Sequence, residues 1–146
     1  MNFIEDCVLR EAASACSPAP EENAPRKRNV LIVDDEEMVR LSLSIVLNGL
    51  GFAVQSADDG DTALEKIRLR PGHYDIVVTD HNMKRINGVE LVKQLRKTGF
   101  PGKIMVVTGY MGSRHEEAYH AMGVDRIMYK PWDIVELRKT VRELTE

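Results

Sequence analysis

Cysteine is scarce in this chain of 146 residues: Cys7 and Cys16 are the only two, and both fall near the N-terminus. A disulfide framework or a thiolate metal site is therefore not expected, and two reduced thiols suit a reducing cytoplasm. Long apolar runs are missing too, since nothing approaches the roughly 18–20 residues that a membrane-spanning helix needs. The opening MNFIEDCVLRE places acids where a secretory signal would carry a cationic start. Positive charge is not in excess, with a net charge of −3. Neither the first 28 residues nor the remainder has a basic surplus that would favour nucleic acid. Internal repeats and low-complexity segments are absent as well.

What is present is an ordinary globular balance, 43% hydrophobic and 29% charged, at the length of one domain. Asn2 and Glu5 form a capping-box pattern, and Phe3, Ile4, Cys7, Val8 and Ala12 recur at helical spacing. A short helix is predicted over 2–14, with too few apolar groups to join a core. Residues 17–28, SPAPEENAPRKR, read as a proline-rich linker, so 1–28 is expected to be an extension and 29–146 the domain.

From residue 29 onward, short apolar runs alternate with helical periodicity. NVLIV, FAVQSA, DIVVTD, KIMVVTG and RIMYK are strand candidates, with NVLIV and DIVVTD read as strands buried in the sheet. Between and after them come five helices. The first carries Val39, Leu43, Val46, Leu47 and Leu50, and the second runs from Asp61 to Arg68. The third is capped by Asn87 and Glu90, the fourth spans 112–122, and the fifth is capped by Asp133 and Glu136. Its inward stripe is Ile134, Leu137, Val141 and Leu144. This alternation predicts an α/β fold, a doubly wound five-stranded parallel sheet with five helices. In such sheets ligands gather at the carboxyl ends of the strands.

Those ends carry chemistry. The first strand runs into Asp34, Asp35 and Glu36, the third into Asp80, the fourth into Thr108 and the fifth into Lys130. Carboxylates from two strands crowded at one rim repel unless a cation intervenes, and an oxygen donor set with open positions suits Mg²⁺. A nucleophilic carboxylate, a metal and donors around equatorial oxygens are the parts of phosphoryl transfer. Taken singly, each piece has a plainer reading: the acids as helix caps, Thr108 as a cap of the next turn, Lys-Pro as a loop.

The combination resembles the response-regulator receiver family over residues 29–146. VLIVDDEE is similar to its acidic-pair motif, VVTDHNMKRINGVEL to its phosphoacceptor segment, VVTG to its Thr/Ser strand and YKPW to its Lys-Pro motif. The resemblance implies a flavodoxin-like receiver fold in which Asp80 is the phosphoacceptor. Asp35 would then be a direct Mg²⁺ ligand, Asp34 a support for the metal, and the Asn82 backbone carbonyl the third protein ligand. Thr108 would hydrogen-bond the phosphoryl group, and Lys130 would pair with its charge. Gly88 falls where the family uses glycine, and the Lys130-Pro131 bond is often cis in it. Departures are Lys84 at the usual proline, followed by Arg85, Gly109 where alanine is commoner, and Ile127 at the usual aromatic switch position. Tyr129 shares the strand face of Ile127 and reads either as its substitute or as core.

The other polar residues read plainly. His73, His81, His115 and His120 lack metal-ligand spacing and are expected at the surface, His81 near the site entrance. Trp132 is expected to pack, and Arg138, Lys139 and Arg142 to form a solvated face. The implied function is a signalling phosphoacceptor, not an enzyme acting on an outside substrate, with a histidine kinase or histidine phosphotransfer protein as donor and a downstream protein as target. Neither nucleic-acid nor membrane binding is expected, and the protein is either a monomer or a phosphorylation-dependent dimer. Residue 146 follows directly on the last helix, so the chain reads as a single-domain regulator, a phosphorelay intermediate or phosphate sink, or the terminal receiver of a longer kinase. A receiver-like binding module that works without phosphorylation is the alternative. An aspartyl-nucleophile hydrolase usually needs a second acid two residues on, where this chain has Asn82.

Overall fold

The computed structural model describes residues 27–145. Five strands, β1 (Asn29–Val33), β2 (Ala53–Ala57), β3 (Ile76–Thr79), β4 (Lys103–Thr108) and β5 (Arg126–Tyr129), form one sheet. They alternate with α1 (Glu37–Gly49), α2 (Gly60–Leu69), α3 (Gly88–Lys97), α4 (Ser113–Ala121) and α5 (Ile134–Thr145). Every pairing is parallel and the order is β2-β1-β3-β4-β5. The expected α/β architecture is thus the observed one. The expected helix over 2–14, and all of the linker except Lys27 and Arg28, lie outside the described residues. No helix among the described residues is long and apolar enough to cross a membrane.

Successive strand residues point to opposite faces, and both faces are covered. Leu31, Val33, Val77, Ile104 and Val106 pack against Ala63 of α2, Leu91, Val92 and Leu95 of α3 and Tyr119 of α4. Val30, Ile32, Val78, Met105 and Val107 pack against Leu43, Val46 and Leu47 of α1 and Leu137 and Val141 of α5. Strand order reverses between β1 and β3, because the chain runs outward to β2 and then crosses back. The crevice at the carboxyl ends of β1 and β3 is therefore the ligand position of this topology.

Helix ends follow side-chain chemistry, with corrections to the sequence reading. Asn87 accepts a hydrogen bond from the Glu90 amide at 3.0 Å, but the Glu90 carboxylate turns to Gln94 at 3.1 Å, so only half of the capping box forms. Asp133 caps α5 through the Val135 amide at 3.1 Å. Ile134, expected in the buried stripe, is 47% exposed. It lies in the first turn, before the helix axis has brought its apolar face onto the sheet, and the buried positions are Leu137, Thr140 and Val141. Helix α2 starts earlier than expected because Asp59 accepts from the Thr62 amide at 2.7 Å, a bond that holds its carboxyl below the ordinary aspartate range. Asp59→Ala is expected to cost about 1 kcal/mol in urea unfolding, as for other lost N-caps. That contribution is present above the unfolded aspartate pKa of about 4 and is lost as pH falls through the depressed folded value. Equal stability of wild type and variant at neutral pH would refute the cap.

Candidate active site

Asp34 follows the last residue of β1 and Asp80 the last residue of β3, so the reversal of strand order sets them side by side. Asp34 is 2% exposed and Asp80 6%. Carboxylate oxygens of Asp34, Asp35 and Asp80 all lie within 4.8 Å of one another. From β5, the Lys130 ammonium reaches Asp34 Oδ2 at 3.2 Å and Asp80 Oδ2 at 3.7 Å. The Lys130 amide donates to the Thr108 carbonyl at 2.7 Å, tying β5 to β4 at the rim, and the Lys130–Pro131 bond is cis. Thr108 is fully buried, and its Oγ1 has no hydrogen-bond partner among the described residues.

The electrostatics are those of an anion-rich pocket short of one cation. Burial pushes the Asp34 carboxyl above the ordinary range and the charge of Asp80 adds to this; the Glu36 amide and Lys130 oppose it. Asp34 Oδ1 accepts the Glu36 amide at 2.9 Å, and its backbone carbonyl takes the Arg40 guanidinium at 2.6 Å. The acidic pair is not a helix cap, since Glu36 occupies that position with no side-chain cap bond. Nor does Thr108 cap a turn. The donor set fits Mg²⁺: oxygen only, three carboxylates from two strands, and like charge that one ammonium leaves uncompensated.

A family model described as the response regulator receiver domain matches residues 30–142. The chain belongs to that family. Its receiver is 33% identical over 120 residues to the sensor protein EvgS of Escherichia coli K12, spanning 82% of this chain and 10% of EvgS. It is 38% identical over 116 residues to the response regulator MprA of Mycobacterium leprae, spanning 79% of this chain and 50% of MprA. The chain thus covers half or less of these curated relatives. Among solved structures, TrrA of Thermotoga maritima, in complex with Mg(2+)-BeF, aligns with a TM-score of 0.71 and 32% identity over 80% of this chain and 98% of TrrA. The chemotaxis protein CheY4 of Vibrio cholerae aligns with a TM-score of 0.74 and 28% identity over 82% of this chain and 99% of that one.

The rest of the rim is built from charged and aromatic side chains. Arg85 holds a left-handed φ of 72° and directs its charge to Asp61 at 3.4 Å and Asp59 at 3.8 Å, so it braces the loop after β3 against the start of α2. An alanine at Gly109 would meet no heavy atom within 4 Å, and the neighbouring Tyr110 is 77% exposed. Asn82 is exposed, and its side-chain amide donates to the Tyr110 carbonyl at 3.3 Å. Ile127 packs on the core as a half-buried apolar residue, whereas Tyr129 is exposed and its hydroxyl donates to Glu116 of α4 at 3.1 Å. Tyr129 is therefore not core. Trp132 packs, half-buried, beside α1 and α5, and Arg138, Lys139 and Arg142 are exposed as expected.

His81 overturns the surface reading: it is 3% exposed. The position after a strand-end aspartate looks like loop, but the chain turns inward there and the ring meets Tyr119 of α4, with Nδ1 and the hydroxyl 2.6 Å apart. His115, also on α4, lies 4.5 Å from His81 between ring centroids, half-buried and not freely exposed. Tyr119 and Gly88 complete this cluster. The resemblance had marked Gly88 alone, and no spacing in a single sequence connects residues 81, 88 and 119.

Proposed function

We propose that Asp80 is the phosphoacceptor of this receiver, charged in the cytoplasm by a phosphohistidine on a histidine kinase or phosphotransfer protein. The carrying observation is the convergence of Asp34, Asp35 and Asp80 within 4.8 Å, together with a buried Thr108 hydroxyl at the end of β4 that has no hydrogen-bond partner among the described residues. A carboxylate oxygen of Asp80 attacks phosphorus, the O–P bond forms, the P–N bond breaks, and its electron pair stays with the donor imidazole. The His81 amide, 2.8 Å from Asp80 Oδ1, keeps the carboxylate from swinging. Thr108 then donates to a phosphoryl oxygen, which would give that hydroxyl a partner. Lys130 shifts its pairing from Asp34 and Asp80 towards the new dianion. Asp34, Asp35, Asp80 and the Asn82 carbonyl would hold Mg²⁺, which when bound would neutralise charge on the phosphoryl oxygens. Similarity to TrrA, solved with Mg(2+)-BeF, supports this assignment.

The chain is a signalling phosphoacceptor that catalyses only its own phosphorylation and dephosphorylation. Residues 29–146 form the receiver, with 1–28 as an extension. A downstream protein reads the phosphorylated form. Relatives of both kinds, a sensor protein and a response regulator, carry such a segment, and this one would work in either setting.

The test is transfer of label from a phosphorylated histidine kinase in the presence of Mg²⁺, with EDTA as control. Asp35→Ala removes one carboxylate of the metal set, so Mg²⁺ affinity is expected to fall at least about tenfold, on the order of 1.4 kcal/mol. Labelling at fixed Mg²⁺ should slow in step. A variant labelled at the wild-type rate in EDTA would dismiss the metal assignment.

A further inference from the structure

We propose that Tyr119, reaching across from α4, is a positioning residue for the acceptor: its hydrogen bond to His81 fixes the amide that holds the Asp80 carboxylate. This rests on the reading of Asp80 as acceptor and adds a determinant that the metal and phosphoryl contacts do not include.

His81 is held at three points. Its amide donates to Asp80 Oδ1 at 2.8 Å, its carbonyl accepts from the Gly88 amide at 2.8 Å, and its ring nitrogen Nδ1 lies 2.6 Å from the Tyr119 hydroxyl. Only the last of these contacts is made by a side chain distant in sequence. The two rings meet edge to face, with centroids 5.6 Å apart at 80°, a geometry that restrains the imidazole as well as bonding it. His115, one turn before Tyr119 on α4, also packs against His81, with ring centroids 4.5 Å apart and planes tilted by 50°. Tyr119 itself is fully buried, and its carbonyl accepts the Val124 amide at 3.1 Å, so its hydroxyl projects from a fixed base. Burial lowers the basicity of His81, helped by His115, and burial, with Asp80 second, raises the pKa of Tyr119.

The consequence is mechanical. An aspartate carboxyl turns softly about its last torsion, so attack geometry depends on what holds it. One oxygen of Asp80 is held by the His81 amide; the other faces Lys130. Removing the Tyr119 hydroxyl leaves the buried Nδ1 without its partner, so the 81–88 loop relaxes and the amide loses its aim. Near-attack alignment suffers although no group at the reacting centre has changed.

The experiment measures labelling by acetyl phosphate at saturating Mg²⁺, per folded molecule, in wild type, Tyr119→Phe, His81→Leu, His81→Asn and the Tyr119→Phe/His81→Leu double variant. Tyr119→Phe is expected to lower the rate about three- to tenfold, the size of one net hydrogen bond expressed as a rate. Mg²⁺ affinity should change by less than about twofold, which separates aiming from general damage to the site. His81→Asn keeps a hydrogen-bonding atom near the Nδ1 position and should outpace His81→Leu by about threefold or more. The double variant should be no slower than His81→Leu, because one link is removed once. The amide resonance of His81 should shift in Tyr119→Phe. A wild-type rate in folded Tyr119→Phe overturns the proposal. Should that variant not fold, equal rates in His81→Asn and His81→Leu overturn it instead. Wild type that takes no Asp80-dependent label refutes the acceptor reading, and the positioning role with it; normal wild-type labelling with an unaffected Tyr119→Phe refutes the positioning role alone.

Discussion

Asp80→Asn is expected to take no label from a phosphohistidine donor or from acetyl phosphate in the presence of Mg²⁺. The substitution is nearly isosteric and its side-chain carbonyl still accepts the His81 amide, so the fold of the rim should persist. What disappears is the charged nucleophile: a neutral amide oxygen does not compete as a phosphoryl acceptor. Electrostatics favour the variant, because the charge of Asp80 raises the pKa of Asp34 and its removal relieves that repulsion. Stability should therefore hold or rise while labelling vanishes, a combination that misfolding cannot produce. Asp34 is a poor substitute, since both its carboxylate oxygens are engaged, Oδ1 by the Glu36 amide at 2.9 Å and Oδ2 by Lys130 at 3.2 Å. Acid-labile, Mg²⁺-dependent label persisting on the variant would move the nucleophile elsewhere.

Gly88→Ala is expected to lower stability by at least about 2 kcal/mol, the range of an overpacked core. A Cβ at this position would run into the Tyr119 hydroxyl, and would sit 2.7 Å from the Asp80 carbonyl oxygen and 3.0 Å from the His81 Cα. Two of these neighbours are backbone of the acceptor loop, which is itself bonded through the Gly88 amide to the His81 carbonyl at 2.8 Å. Nothing flexible can yield. Alanine should gain up to about 1 kcal/mol in helix propensity at the start of α3, and the clash outweighs it. Against the roughly 5–15 kcal/mol that a domain possesses this is a large loss, readable in urea unfolding. Labelling per folded molecule should fall as well, because the displaced segment carries Asp80. Unchanged stability would mean that the approach of α3 to the acceptor loop is looser than described.

Much of the molecule was legible in residue order. Strands buried on both faces need uninterrupted apolar runs, so NVLIV, DIVVTD and KIMVVTG announced themselves, and each break in apolarity marked a strand end. Polar residues stationed at those breaks had to emerge at one rim of a parallel sheet, which is why Asp34, Asp35, Asp80, Thr108 and Lys130 could be named together. Caps with a local partner, Asn87 and Asp133, were equally visible because their bonds span two or three residues.

What escaped was whatever depends on where an element lies when it packs. Ile134 obeys the helical period, yet as the first residue of its helix it is left 47% exposed. Tyr129 shares a face with Ile127 as strand geometry demands, but at the last position of the edge strand β5 it is exposed, and its hydroxyl donates to Glu116. His81 is a polar residue in a loop by every local criterion, and only the approach of α4 makes it a buried partner of Tyr119. By itself the sequence determined the fold class, the strand ends and the chemistry stationed there, because periodicity and breaks in apolarity are local properties of the chain. Tertiary structure alone decided which oxygen faces Lys130, why residue 88 has no room for a side chain, and how α4 grips the acceptor loop. Those contacts join residues from seven to fifty positions apart, and their distances are set by how helices seat on a twisted sheet.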